Sequence, residues 1–176
     1  SGGMLIEAVQ HMNHSSLCCG SIFGQEKNVV NSAIAKMNLF LHGASDFNIM
    51  QGDTLRSPKI LQNGEIAKFD CVIANPPFSL EKWGSVEWSS DKYGRNVWGT
   101  PSDSCGDYAW IQHMVKSMAS GNGRRAVVMP QGVLFRGNEE GRIREKLVKS
   151  DLIEAVVTLG DKLFYGTGLS PCFLIL

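Results

Sequence analysis

Short apolar runs alternate with stretches of helical periodicity along this chain, and that alternation restricts the fold more than any other feature. The run SIFGQE reads as a strand, and NVVNSAIAKMNLFLHG then carries a helical pattern that stops at Gly43, the usual place for a left-handed cap. FNIMQGD is a strand ending at Asp53, FDCVIA a strand ending at Asn75, and DYAWIQHMVKSMASG a helix from Asp107 toward Gly121. The strand RAVVMP follows, then a loop with Gly132 and Gly137, the helix NEEGRIREKLVKS, and the strands LIEAVVTL and SPCFLIL. An earlier helix over Gly3 to His14 sets Leu5, Ile6, Val9 and Met12 at helical spacing directly after Gly2-Gly3. Strands apolar on both faces, separated by helices, predict an α/β fold with a parallel sheet covered by helices.

The chain's 176 residues fit one compact domain. Seventeen basic residues balance seventeen acidic ones, so the basic excess of a stand-alone nucleic-acid binder is missing. The five cysteines, Cys18, Cys19, Cys71, Cys105 and Cys172, are odd in number and never spaced as C-x-x-C. That argues against a disulfide framework or a zinc site and fits a reducing cytoplasm. No apolar run approaches the roughly 20 residues that span a bilayer, which predicts a soluble protein. His11 and His14 stand three apart near Cys18 and Cys19, a loose grouping that reads as coincidence because no second ligand pair matches it.

The strand FDCVIA ends abruptly in Asn-Pro-Pro-Phe, residues 75–78. Two successive prolines lack amide hydrogens and fix φ near −65°, so the chain leaves the ladder there in a semi-rigid turn. Ligands of open α/β sheets bind at the carboxyl ends of strands. The Asn75 side-chain oxygen and the Pro76 carbonyl are acceptors suited to an amine with two hydrogens, and Phe78 offers an apolar face to a planar ring. The plainer reading is a turn that merely ends a strand, with Phe78 in the core. The long segment Ser79 to Cys105 is rich in Trp, Ser and Gly and reads as a lid or binding loop. Its Trp83, Trp88 and Trp98 either shield a displaced base or only anchor the loop.

Asn-Pro-Pro-Phe after an apolar strand resembles the fourth motif of S-adenosylmethionine-dependent amino methyltransferases. The stretches GQEKN, GDTL, DYAWIQHMVKSM, RAVVMPQGVLFRGNEEGRIREKLVKSDLIEAVV and LFYGTGLSPCFLIL narrow this. They resemble the modification (methyltransferase) subunit of type I restriction-modification systems, an adenine-N6 DNA methyltransferase family, over nearly the whole chain. The resemblance implies a doubly wound, mostly parallel, Rossmann-like sheet and S-adenosylmethionine as cofactor. It also implies DNA as substrate, with a specificity subunit and a restriction subunit as partners. Residues 1–176 would form part of the catalytic domain. Two other readings stay open: a methyltransferase for ribosomal RNA guanine or protein glutamine, and a scaffold without catalysis.

By the same resemblance Glu26 accepts hydrogen bonds from the cofactor ribose and Asp53 from its adenine amine, with Thr54 and Asn75 in the same site. Ser1, Gly2 and Gly3 match the tail of a glycine-rich motif that lets backbone approach the methionine part of the cofactor. Asn75, Pro76, Pro77 and Phe78 carry catalysis. The plainer alternatives are a helix N-terminal charge for Glu26 and a helix N-cap for Asp53. The strand and acidic residue that precede the glycine motif in the family are missing before Ser1. The chain therefore reads as the interior of a larger subunit, with strand edges open to self-association, and catalysis by this stretch alone is left open. Arg124, Arg125, Arg136, Arg142, Arg144, Lys146 and Lys149 make the second half locally basic; interleaved Glu139, Glu140 and Glu145 fit a solvated face equally well.

Overall fold

The structure is a computed structural model that describes residues 1–14, 20–161, 163–164 and 168–176. Cys18 and Cys19 lie outside the described residues, as does the side chain of His14, and with them the His–Cys grouping. The chain forms two compact units, Ser1–Gly64 and Glu65–Leu176.

In the first unit, α1 (Gly3–His14) starts where the Gly2 carbonyl accepts the amides of Leu5 and Ile6, both at 3.1 Å. Strand β1 (Ile22–Glu26) leads into α2 (Val29–Leu41), which is capped by the Asn28 side chain accepting the Asn31 amide at 3.0 Å. Helix α2 ends with Gly43 at φ +77°, as its sequence predicts. Strand β2 (Phe47–Gln51) then pairs parallel with β1, Ile22 opposite Phe47 and Glu26 opposite Gln51. The buried apolar side chains of this unit are Ile6, Val9, Ala35, Leu39, Ile49 and Leu55, with Ile6, Ala35, Leu39 and Ile49 packed in one cluster. Val30, Ile34, Met37 and Leu41, spaced as one stripe of α2, are exposed. The short strand β3 (Leu61–Gln62) precedes Asn63 and Gly64, which both have positive φ, and β4 (Glu65–Ile66) begins the second unit.

In the second unit, β5 (Cys71–Ala74), β6 (Arg124–Pro130), β7 (Ala155–Thr158) and β8 (Pro171–Ile175) form one sheet in the order β5-β6-β8-β7. Strand β5 runs parallel to β6, whereas β8 runs antiparallel to both β6 and β7. An apolar pattern does not encode strand direction, and the antiparallel β8 makes this end of the sheet mixed. Helices α3 (Ser85–Ser89), α4 (Asp107–Lys116) and α5 (Asn138–Lys149) complete the unit. Tyr108, Ile111 and Met114 of α4 and Ile143 and Leu147 of α5 pack with Val127, Met129, Cys172 and Leu174 of the sheet. Arg125 also lies inside, 1% exposed, and its three guanidinium nitrogens have no hydrogen-bond partner among the described residues. Burial pushes its pKa down to about 10.

Strand β1 has a strand partner on one side only, and so does β5, among the described residues. Among those residues, too, no helix is long and apolar enough to cross a membrane.

Candidate active site

The residues singled out in the sequence fall on both units. Ser1, Gly2, Gly3, Glu26, Asp53 and Thr54 belong to the first, and Asn75, Pro76, Pro77 and Phe78 to the second.

In the first unit the parallel pairing of β1 with β2 brings Glu26 and Asp53 to the same, carboxyl end of the strands, and the Gly52 amide donates to the Glu26 carbonyl at 2.9 Å. One Glu26 carboxylate oxygen accepts the Asn28 amide at 2.8 Å; the other has no partner among the described residues. Glu26, Lys27, Asn28, Val29 and Val30 line an open depression of about 590 Å³, within the size range of small-molecule sites. Asp53 Oδ1 accepts the amides of Leu55 and Arg56, each at 3.1 Å, and Oδ2 meets Lys27 Nζ at 2.9 Å. Burial alone would raise the Asp53 carboxyl, but the Lys27 ammonium and the two amides outweigh it and hold the pKa below the ordinary carboxylate value. Asp53 caps a single turn over residues 54–56, and no helix begins there. Half-buried Thr54 follows it.

Gly2, at φ +79°, packs where a Cβ would meet the Ala35 backbone of α2 at 3.2 Å, so its glycine serves helix packing as well as backbone shape. Ser1 and Gly3 are exposed, and the Ser1 carbonyl accepts from the Asn38 side chain at 3.0 Å.

In the second unit the chain leaves β5 at Asn75. Asn75 and Pro77 are exposed and Pro76 is buried, so the double-proline turn is held by one ring while its asparagine faces outward. The Asn75 carboxamide has no hydrogen-bond partner among the described residues. Half-buried Phe78 meets Phe164 edge to face, ring centroids 6.4 Å apart and planes at 86°. Phe164 is a neighbour that the sequence reading missed, because it lies 86 positions further along the chain.

The segment after the turn is anchored. Trp83 and Trp88 are each 2% exposed and Trp98 is 8% exposed, so all three tryptophans serve as anchors and none is free to shield a base. Trp88 also stacks under the Arg95 guanidinium, 4.4 Å from its centroid. Gln112 of α4 holds the segment from below, accepting the Trp98 amide at 2.9 Å and donating to the Gly99 carbonyl at 3.0 Å.

Most of the basic residues of the second half are spent internally. Arg124 pairs with Glu154, Arg142 with Glu139, Lys149 with Glu145, and Arg136 with both Asp107 and Glu140. Arg144 and Lys146 donate to backbone carbonyls. Cys105, Asp107 and Glu140 bring their ligand atoms within 4.8 Å of one another, a spacing that would suit a metal ion. Arg136 already supplies the positive charge there, and burial with the neighbouring carboxylates pushes the Cys105 thiol up to about 12. The cluster is therefore an ion-pair network.

The model of the N-6 DNA methylase family matches residues 1–176. This chain belongs to the N-6 DNA methylase family. It is 35% identical to the type I restriction enzyme MjaVII methylase subunit of Methanocaldococcus jannaschii, covering 100% of this chain and 31% of that protein. It is 30% identical to the HindI methylase subunit of Haemophilus influenzae, covering 100% of this chain and 39% of the relative. Among solved structures, the type I restriction-modification methyltransferase subunit of Streptococcus thermophilus matches with a TM-score of 0.86 at 31% identity, over 96% of this chain and 36% of that one. The chain thus spans about a third of the length of these relatives. β1, β2 and β5 are strands of the fold that this chain shares with that methyltransferase subunit.

Proposed function

We propose that this chain is part of the catalytic domain of a DNA adenine N6-methyltransferase, the modification subunit of a type I restriction-modification system working in the cytoplasm. The observation that carries the proposal is Asn75: an outward-facing carboxamide with no protein partner among the described residues, held at the end of a parallel strand by a double-proline turn. Family membership supports the same reading.

The residues of the first unit fit S-adenosylmethionine. Glu26 has a carboxylate oxygen left for a ribose hydroxyl, and Asp53 Oδ2, with one donor at present, has acceptor capacity for the adenine amine. Val29 and Val30 give the depression an apolar wall. Thr54, the Ser1–Gly3 backbone and Asn75 complete the set assigned to the cofactor. When bound, the cofactor supplies the methyl group on a sulfonium.

The remaining work is placement. The Asn75 Oδ1 and the Pro76 carbonyl accept the two hydrogens of the target amine, which draws the nitrogen lone pair out of conjugation as positive charge develops on it. Pro77 and Pro76 fix the spacing of these acceptors by fixing φ. Adenine in a duplex cannot reach such a turn, so the base is taken out of the helix, and Phe78 stacks on it, offsetting part of an unstacking cost of about a few kcal/mol. A separate specificity subunit addresses the DNA, consistent with a chain of zero net charge, and a restriction subunit joins the larger assembly.

The test is transfer of labelled methyl from S-adenosylmethionine by the full-length protein with its specificity partner, offered DNA, ribosomal RNA and a glutamine-bearing peptide. Label on DNA adenine is expected. Label on RNA or peptide with none on DNA would overturn the proposal, and no cofactor binding at all would favour a scaffold.

A further inference from the structure

The residue immediately after the proline turn is held from outside the turn. Ser79 has φ +50°, a left-handed conformation uncommon for a residue with a side chain, and its amide donates to Asp107 Oδ1 at 2.8 Å. Asp107 is the first residue of α4 and is 0% exposed. A carboxylate at a helix start ordinarily faces water and interacts with the helix dipole. This one is fully buried and directed at two other segments: Oδ1 at Ser79 and Oδ2 at the Arg136 guanidinium.

The surroundings tie the same two stretches of chain together. The Gly106 amide donates to the Leu80 carbonyl at 3.0 Å, the Lys82 amide to the Asp103 carbonyl at 2.8 Å, and the Trp83 indole to the Ser102 carbonyl at 2.8 Å. A Cβ on residue 106 would lie 2.9 Å from Cγ of Trp83, so only glycine lets the start of α4 come this close to the segment leaving the turn. Arg136 is fixed in turn by Glu140 of α5, whose other contact is the Cys105 thiol at 3.1 Å. Burial would lower the Arg136 pKa, but its bonds to Glu140 and Asp107 raise it above the ordinary guanidinium value.

We propose that Asp107 is a positioning residue for the Asn75–Phe78 turn: its buried carboxylate, held by Arg136, keeps Ser79 left-handed and so fixes where the turn presents Asn75 and Phe78. The inference rests on the reading of that turn as the site for the target amine. Asp107 touches no substrate in this scheme; it acts through Ser79. A turn free to drift by about an ångström costs turnover on the order of 10²-fold while leaving the cofactor residues of the first unit untouched.

The experiment uses the full-length enzyme with its specificity partner. Asp107→Ala is expected to lower kcat for DNA methylation about 10²-fold with the S-adenosylmethionine Kd unchanged within about threefold. Adding Ser79→Gly, which makes the left-handed conformation easy without the carboxylate, is expected to recover part of the lost kcat. A merely structural role for Asp107 predicts no such rescue. Wild-type kcat in Asp107→Ala, or a loss that Ser79→Gly leaves unchanged, overturns the proposal. Should Asp107→Ala not fold, Asp107→Ala with Arg136→Gln removes the charge and its partner together and is read the same way. Should the unaltered enzyme not methylate DNA, the functional reading falls. Amide hydrogen exchange then decides the positioning claim: faster exchange confined to residues 78–80 in the variant upholds it, and an unchanged rate there overturns it.

Discussion

Nη1 of Arg95 lies 3.3 Å from Nδ1 of His113, in the anchored segment that follows the proline turn and the helix beneath it. A guanidinium can only donate, so the imidazole nitrogen accepts and the ring is neutral. Burial, then the Arg95 charge, push the His113 pKa down to about 3, with Asp91 opposing in part. The same Arg95 is bound to Asp91 at 2.6 Å in a buried pair.

A pH dependence follows. The unfolded chain takes up the His113 proton near pH 6.5, and the folded chain does so only near pH 3. The stability held by the neutral ring is complete above about pH 6.5 and is lost as pH falls through the window below it, by about 1.4 kcal/mol per unit at most. Urea unfolding is expected to show a loss of about 1 kcal/mol between pH 7.5 and 5.5, and His113→Asn should flatten that slope. Equal slopes in the two proteins would refute the assignment.

Asn75→Ala in the full-length enzyme is expected to lower kcat about 10²- to 10³-fold and to change cofactor affinity by less than about threefold. Single-turnover methylation and calorimetry separate the two quantities. Equal losses in both would contradict the assignment of Asn75 to the target amine.

The strand ends and the turn were legible because each carries a local signal. Gly43 ends α2 at positive φ, α1 occupies Gly3–His14 as its spacing predicts, and Asn75 stands just past β5 because prolines stop the ladder. What holds the turn was not legible. Asp107 reads as an ordinary helix start and Arg136 as one of several basic residues, and they meet only through folding, 29 positions apart. Ser79 lies 28 positions from Asp107, and its left-handed backbone has no glycine to announce it. The tryptophan loop stayed open between two readings for a related reason: aromatic content signals an apolar contact but does not say whether that contact is a ligand or the protein's own interior, and burial of Trp83, Trp88 and Trp98 decides for anchoring.

Arg125→Met is expected to stabilise the protein by about 1 to 3 kcal/mol, since it replaces a buried guanidinium lacking a partner among the described residues with an apolar chain of similar length. A rise in the urea midpoint with an unchanged slope is the expected reading. A fall would mean that the guanidinium is paired in solution.

Gly106→Ala should cost about 1 to 3 kcal/mol, because the new methyl group would press on Trp83, which is itself buried. The near-ultraviolet circular dichroism of the tryptophans reports the shift. An unaltered spectrum with unaltered stability would show that the indole can retreat.

Among the described residues, six apolar side chains are buried in residues 1–64, Ile6, Val9, Ala35, Leu39, Ile49 and Leu55, against eighteen in residues 65–176, while apolar residues along α2 lie in the open. So little burial supports little local stability. A protease offered the folded chain should therefore make its first cuts in this stretch, and a nucleoside-bearing ligand that engages Glu26 and Asp53 should slow them by binding the folded form. The lifetime of the molecule in a proteolytic environment would then be set by how often its ligand site is filled, more than by the larger core that carries the proline turn.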